Sequence, residues 1–149
     1  MSDLHTSNSI VIEARQADVW KALTTPRLIK EWFFGVDTET DWKVGSELVH
    51  RGIWQGKPYE DKGKIVEFDP PHRLVHTHWS PMSGQPDEPT NYQQVTWEVS
   101  ERDGLTTLTI SEENLPSEQA KAISDQAWSG ALGNLKQLLE QPDRLRKIA

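Results

Sequence analysis

The spacing of hydrophobic and polar positions changes three times along the chain. Ser9–Ala14 is short and rich in β-branched residues, which predicts a strand. Gln16–Thr24 follows with apolar residues at helical spacing, and Pro26 suits the first position of a second helix. That helix keeps an apolar stripe until Gly35, where glycine predicts its end. The pattern therefore begins with one strand and a broken pair of short helices.

From residue 36 to residue 111 the period is two, with turn residues between the runs. The pattern predicts six strands: Val36–Trp42, Glu47–Trp54, Tyr59–Phe68, Arg73–Trp79, Thr90–Ser100 and Leu105–Ser111. Asp103 and Gly104 form the strongest hairpin signal, and Gly63 predicts a bulge or strong curvature. Such alternation is typical of an antiparallel sheet with one buried face and one wet face.

One long amphipathic helix is predicted over Ser117–Glu140, with Ser117 as its N-cap. Its apolar residues recur at threes and fours: Ile123, Ala127, Ala131, Leu135 and Leu138. The order of elements predicts an α+β fold in which a curved antiparallel sheet wraps round this helix. We expect a single domain over residues 1–149, with its core at 9–140 and an interior that can hold a ligand.

The amino-acid composition limits the classes of protein and of partner to be considered. With 26% charged and 35% hydrophobic residues, the chain has a globular composition, and it contains no apolar run long enough to span a membrane. The net charge of −7 argues against nucleic acid, and Arg144, Arg146 and Lys147 fall in a tail expected to be solvated. The absence of cysteine excludes disulfides and fits a cytoplasmic protein, and the polar residues 1–9 do not resemble a signal peptide.

Aromatic residues supply the first candidate site. Seven tryptophans are spread over nearly every element, and most are expected to build the core, while some, including Trp97 and Trp128, could line a cavity. Trp32, Phe33 and Phe34 are consecutive, so on a helix they point in directions about 100° apart. At least one of the three should face a cavity mouth or solvent, or the group plugs the gap between helix and sheet.

Histidines supply the second candidate site. His76 and His78 face one side of a strand and could meet His50 from another strand. The three imidazoles could bind a metal or shuttle a proton, or they are ordinary sheet-surface or cavity-lining residues; we predict no metal and no cofactor. His50 and Trp54 share a strand face. If that face is the inner one, both line the cavity and Arg51 is solvated; otherwise Arg51 could bind an acidic ligand.

No nucleophile motif is present, because the chain lacks cysteine, a Gly-x-Ser-x-Gly elbow and a phosphate loop. Several carboxylates are interpreted as solvated strand ends: Glu98, Glu101, Glu112 and Glu113. No catalytic residue is nominated, and a binding protein is favoured over an enzyme.

Five segments carry a resemblance: IEARQADVWKALTTPRLIKEWF, VGSEL, GKIVEFDPPHRLVHTHW, GLTTLTISEENL and AWSGALGNLKQLLE. In this order the chain resembles the START-like, helix-grip (SRPBCC) superfamily, which includes polyketide cyclases and Bet v 1-type proteins. Within it, the chain is most similar to the activator of heat-shock protein 90 ATPase homologue family. The resemblance implies a seven-stranded antiparallel sheet gripping the long helix, and a cavity entered between the short helices and strand-connecting loops.

Three functions follow as hypotheses. The first is binding of a small hydrophobic or amphipathic molecule in the cavity. The second is a cyclase or hydrolase activity that uses His50, His76 or His78. The third is a protein-interaction role, such as contact with a chaperone ATPase; a homodimer is also compatible with the sequence.

Overall fold

The computed structural model describes residues 2–141, and in this range the predicted helix-grip architecture is confirmed. The strands are β1 (His5–Ile12), β2 (Asp37–Glu39), β3 (Glu47–Trp54), β4 (Lys57–Asp69), β5 (Arg73–His78), β6 (Gln93–Arg102) and β7 (Leu105–Glu113). The helices are α1 (Gln16–Thr24), α2 (Pro26–Trp32) and α3 (Glu118–Glu140), with 3-10 turns at Pro81–Ser83 and Pro89–Asn91. All neighbouring strands are antiparallel, in the order β1-β7-β6-β5-β4-β3-β2. The basic residues near 144–147 lie outside the described residues.

Two tight turns fix the register of the longest hairpins. Asp103 and Gly104 have φ values of 54° and 80°, and Gln55 and Gly56 have values of 51° and 78°. Two consecutive left-handed residues are the mark of a type I′ turn, whose twist matches that of the flanking strands. The hairpin predicted at Asp103 and Gly104 is therefore confirmed, and a second turn of the same kind joins β3 to β4 at Gln55 and Gly56.

Several predicted boundaries are wrong. Strand β1 begins at His5 rather than Ser9, because its first half also pairs with β7. This half is polar, so the alternation of apolar residues does not predict it. Strand β2 keeps only three residues of the predicted Val36–Trp42, and Trp42 leaves the sheet with a φ of 58°. Helix α2 ends at Trp32, three residues before Gly35.

Strand β4 departs from regular strand geometry at two places. Its register against β5 shifts between Ile65 and Glu67, which places the bulge at Val66. At Gly63 the β5 backbone approaches so closely that an added Cβ would overlap the carbonyl oxygen of Thr77. Gly63 is therefore a point of close backbone approach between β4 and β5.

Helix α3 packs on the concave face with only part of its length. Ser117 caps it, since its Oγ accepts a hydrogen bond from the amide of Ala120 at 3.1 Å. Its C-terminal half is buried through Ala131, Leu132, Leu135, Leu138 and Leu139. Ile123 and Ala127, predicted to lie on the same stripe, are exposed, because the sheet leaves a gap beneath the N-terminal half. No helix within residues 2–141 is long and apolar enough to cross a membrane.

Candidate functional site

A pocket of about 610 Å³ occupies the gap between the concave face of the sheet and the N-terminal half of α3. Its walls are largely apolar and include Leu48, Leu74, Val95 and Leu115. Its rim is formed by exposed apolar side chains: Phe34 (59% exposed), Met82 (52%) and Ile123 (61%).

Aromatic rings form one continuous wall of this pocket. Phe33 stacks on Trp128, with ring centroids 5.6 Å apart and planes inclined by only 6°. Trp97 meets Trp128 edge-on at 5.4 Å, and Trp32 meets Trp97 edge-on at 6.0 Å. These offset and perpendicular pairings are the favoured geometries of aromatic contacts, so they stabilise this arrangement of the rings.

The three consecutive aromatics take three different environments. Trp32 is buried, and its indole donates a hydrogen bond to the carbonyl of Ala22 at 3.0 Å. Phe33 is partly buried on the pocket wall. Phe34 has a φ of 53° and lies at the rim, where its ring faces Gly130 of α3. The prediction that at least one ring faces a mouth or solvent is confirmed by Phe34.

His76 has both ring nitrogens engaged with the protein. Its Nε2 accepts a hydrogen bond from the Trp97 indole at 3.0 Å, and its Nδ1 lies 3.0 Å from the carbonyl of Thr77. Acceptance at one nitrogen and donation at the other specify a neutral imidazole. Burial accordingly lowers the pKa of His76 to about 4, against a smaller raising effect of the Thr77 hydrogen bond.

His50 lies across the pocket floor from His76, with ring centroids 6.5 Å apart. Its Nδ1 is 3.0 Å from the Thr38 hydroxyl, and its ring meets Phe33 edge-on. Burial, together with repulsion from His76 and His78, lowers the pKa of His50 to about 3. His50 is therefore a second neutral imidazole in the folded protein.

His78 differs because it has a carboxylate partner. Its Nε2 lies 3.0 Å from Oδ2 of Asp61, and both residues line the pocket. Burial opposes the charge, but the hydrogen bond and charge of Asp61 outweigh it, so the pKa of His78 is raised. The pocket thus holds one histidine favoured as a cation and two kept neutral.

The three-imidazole metal hypothesis does not fit this geometry. His76 has no free nitrogen lone pair, because Trp97 donates to the only one it offers. Across the part of the chain that the structure describes, no cluster of three or more possible ligand side chains could hold a metal ion. The three histidines line the pocket, and each has a ring nitrogen beside a polar group of the protein.

The even-numbered face of β3 is the inner one. His50 lines the pocket, while Arg51 points outward to ion pairs with Glu60 at 3.0 Å and Glu39 at 3.7 Å. Trp54 shares the inner face in sequence but does not line the pocket. It lies at the tip of the β3–β4 hairpin, beyond the cover of α3, and is 60% exposed. The other candidates all line the pocket: Trp32, Phe33, Phe34, His50, His76, His78, Trp97 and Trp128.

Glu112 corrects the interpretation of the carboxylates. The sequence predicts that Glu112 lies at a solvated strand end, but in the structure its side chain is buried and lines the pocket. Its Oε1 accepts hydrogen bonds from the Ser124 hydroxyl at 2.6 Å and from the Trp128 indole at 3.0 Å. The signal was available, because Glu112 continues the inward alternation of Leu108 and Ile110.

Comparison with known proteins identifies the family. The family model for activator of Hsp90 ATPase homolog 1-like proteins matches residues 13–140. The chain belongs to this family. The solution structure of ChR145 from Cytophaga hutchinsonii is 38% identical, with a TM-score of 0.80, and the match covers 94% of this chain and 97% of that one.

More distant structures share the fold. The Aha1 dimer from Colwellia psychrerythraea is 19% identical with a TM-score of 0.72, over 91% of this chain and 96% of that one. PFC0360w, an HSP90 activator from Plasmodium falciparum, is 20% identical with a TM-score of 0.73, over 93% and 98%. At this identity the likeness concerns the fold alone. The curated proteins gave no match to the chain.

Proposed function

We propose that this protein binds a small hydrophobic or amphipathic molecule in the pocket between the sheet and α3. The observation that carries the proposal is the pocket itself, whose volume of about 610 Å³ suits a small organic ligand. Its predominantly apolar walls and few convergent polar groups, such as His50, His78 and Glu112, are typical of ligand sites.

The rim supports the same proposal. Phe34, Met82 and Ile123 expose large apolar side chains beside one opening, although exposed apolar groups are usually scattered. A ligand leaving water through this opening would contact apolar surface at each stage. The rim therefore fits an entry route between α2, α3 and the 3-10 turn at Pro81–Ser83.

The test is a substitution that places a larger side chain in the pocket, compared with the same substitution outside the pocket. Ala127 lines the pocket from α3, whereas Ala122 lies on the same helix, is exposed and does not line it. We expect Ala127→Phe to weaken binding of the neutral dye Nile red about tenfold or more, and Ala122→Phe to leave it unchanged. Binding is followed by dye fluorescence. Equal affinity in both variants, or no binding by the wild type, would refute the proposal.

A second candidate is acid–base chemistry on the bound molecule, and the His78–Asp61 pair favours it. A histidine oriented by a carboxylate inside an apolar pocket is a common proton-transfer arrangement. Any molecule that displaces Nile red from the pocket can be incubated with the wild type and with His78→Gln, and its mass is then measured by mass spectrometry. A mass change made only by the wild type supports catalysis, and an unchanged ligand in both argues against it.

The chaperone contact and the homodimer stay predictions. The Aha1 dimer and the HSP90 activator PFC0360w are 19% and 20% identical to this chain, and at that identity they share the fold alone. Light scattering of the purified protein and co-purification with a chaperone ATPase are the direct measurements.

A further inference from the structure

Apart from the imidazole of His78, the charged side chains that line the pocket are carboxylates. Asp61 and Glu112 both line it, and no lysine or arginine does so among residues 2–141. The basic residues of the neighbouring strands lie on the outer surface, where Arg51 pairs with Glu60 and Lys62 pairs with Asp87. Among residues 2–141, a ligand head group in the pocket therefore meets two carboxylates and neither a lysine nor an arginine.

The histidines do not supply a free cation in place of lysine or arginine. His76 accepts from Trp97 and is held neutral by that bond. His50 is a neutral ring with one nitrogen beside the Thr38 hydroxyl. His78 is the one imidazole favoured as a cation, and it is already paired with Asp61.

The N-terminus of α3 also lies at the pocket, and its dipole places about half a positive charge there. Three features offset this attraction for anions. The Ser117 hydroxyl already accepts a hydrogen bond from the Ala120 amide, and the acidic Glu118 lies in the first turn of the helix. The Glu112 carboxylate lies beneath the helix, where it accepts hydrogen bonds from Ser124 and Trp128. The helix end therefore does not reverse the negative character of the pocket.

Asp61 offers an acceptor that the protein leaves unused. Its Oδ2 binds His78, while its Oδ1 is buried and has no hydrogen-bond partner in the structure. Buried polar atoms are almost always paired, so an unpaired acceptor beside a pocket indicates a donor that arrives with a ligand or with water. Burial and the charge of Asp61 also raise the pKa of Tyr59, which lines the same end.

Resting on the proposed function, we infer that the bound molecule carries a neutral or positively charged hydrogen-bond donor, an amine or an alcohol, and that the pocket discriminates against carboxylates. The donor lies at the end formed by Asp61 and Tyr59, and the apolar body lies against Phe33 and Trp128. A donor satisfies the free oxygen of Asp61. An anion would instead lie near the carboxylates of Asp61 and Glu112 in an environment of low dielectric, where the one imidazole favoured as a cation, His78, is already paired with Asp61.

The test compares three probes with one naphthalene body: 2-naphthylmethylamine, 2-naphthylmethanol and 2-naphthoate. Dissociation constants are measured with the full chain at pH 7.5 by titration calorimetry. We expect the amine to bind at least about tenfold more tightly than the carboxylate, with the alcohol between them. Asp61→Asn should shrink the amine-to-carboxylate ratio severalfold, and so should Glu112→Gln, which keeps an acceptor for Trp128. Glu60→Gln removes an outward-facing carboxylate one residue away and should leave the ratio unchanged.

The outcomes separate the two proposals. If the carboxylate binds as tightly as the amine, the inference is overturned and the binding function stands. If all three probes fail to bind, the proposed function and this inference fall together. If the amine preference survives both Asp61→Asn and Glu112→Gln, its assignment to these carboxylates is overturned.

Discussion

Acidification should destabilise this protein through two histidines that the fold keeps neutral, His76 and His50. His76 is buried and cannot take up a proton at Nε2 without losing the hydrogen bond from Trp97, and the partly buried His50 packs against the rings of Phe33 and His76. In the unfolded chain both histidines titrate near 6.5. As the pH falls below that value, the unfolded state binds protons at these histidines and the folded state does not, so the free energy of unfolding decreases.

The magnitude follows from the folded-state values. The pKa values of about 4 for His76 and about 3 for His50 both lie below pH 5.5. Between pH 7.5 and 5.5 the loss therefore depends only on the unfolded-state pKa, and amounts to about 1.4 kcal/mol for each histidine. His78 acts in the opposite sense. Its raised pKa means that its stabilisation is fully present below the unfolded value and is lost as pH rises through the folded one.

The assay is urea unfolding followed by tryptophan fluorescence at pH 7.5, 6.5 and 5.5. In His76→Gln the side-chain oxygen can still accept a hydrogen bond from Trp97. We expect the decrease in the free energy of unfolding between pH 7.5 and pH 5.5 to be about 1.4 kcal/mol smaller in this variant than in the wild type. His5→Gln replaces an exposed histidine on β1 and serves as the control. His78→Gln should make the loss larger than in the wild type. An identical pH dependence in His76→Gln and the wild type would refute the reasoning.

Three further predictions concern stability and are measured by the same unfolding assay at pH 7.5. Gly63→Ala should cost about 3 kcal/mol or more, because its Cβ would overlap the rigid backbone of Thr77; a near-neutral effect would show that β5 can move away. Ser117→Ala should cost about 1 kcal/mol through loss of the α3 cap, and Ser117→Asp should restore most of it. Leu135→Ala should cost about 2–5 kcal/mol, while Ile123→Ala on the same helix should cost under about 0.5 kcal/mol; equal losses would contradict the pocket beneath Ile123.

Local patterns predicted the elements because their causes are local. The type I′ turn at Asp103 and Gly104 needs only two residues that tolerate a positive φ. The Ser117 cap needs only a side-chain oxygen three residues before a free amide. The apolar alternation of β6 and β7 reports burial of one strand face. Boundaries failed where pairing partners decided them, as in the polar first half of β1.

The candidate site was predicted in part for the same reason. Alternation placed His50, His76 and His78 on shared strand faces, and the consecutive aromatics required one ring to face outward. The sequence did not choose which face of β3 is the inner one. The structure places His50 inside and Arg51 outside, and leaves Trp54 beyond the reach of α3.

The sequence by itself therefore determined the order and type of the elements, the amphipathic character of α3 and the family to which the chain belongs. Only the tertiary structure decided where the sheet leaves the helix, because that depends on how strands distant in sequence pair and pack against α3. This separation exposes Ile123 at a rim, buries Leu135 in the core and opens the pocket between them. It also turns Glu112 from an expected surface residue into a buried acceptor for Trp128. Such convergence of distant side chains has no signature in any single segment, since each side chain comes from a different element.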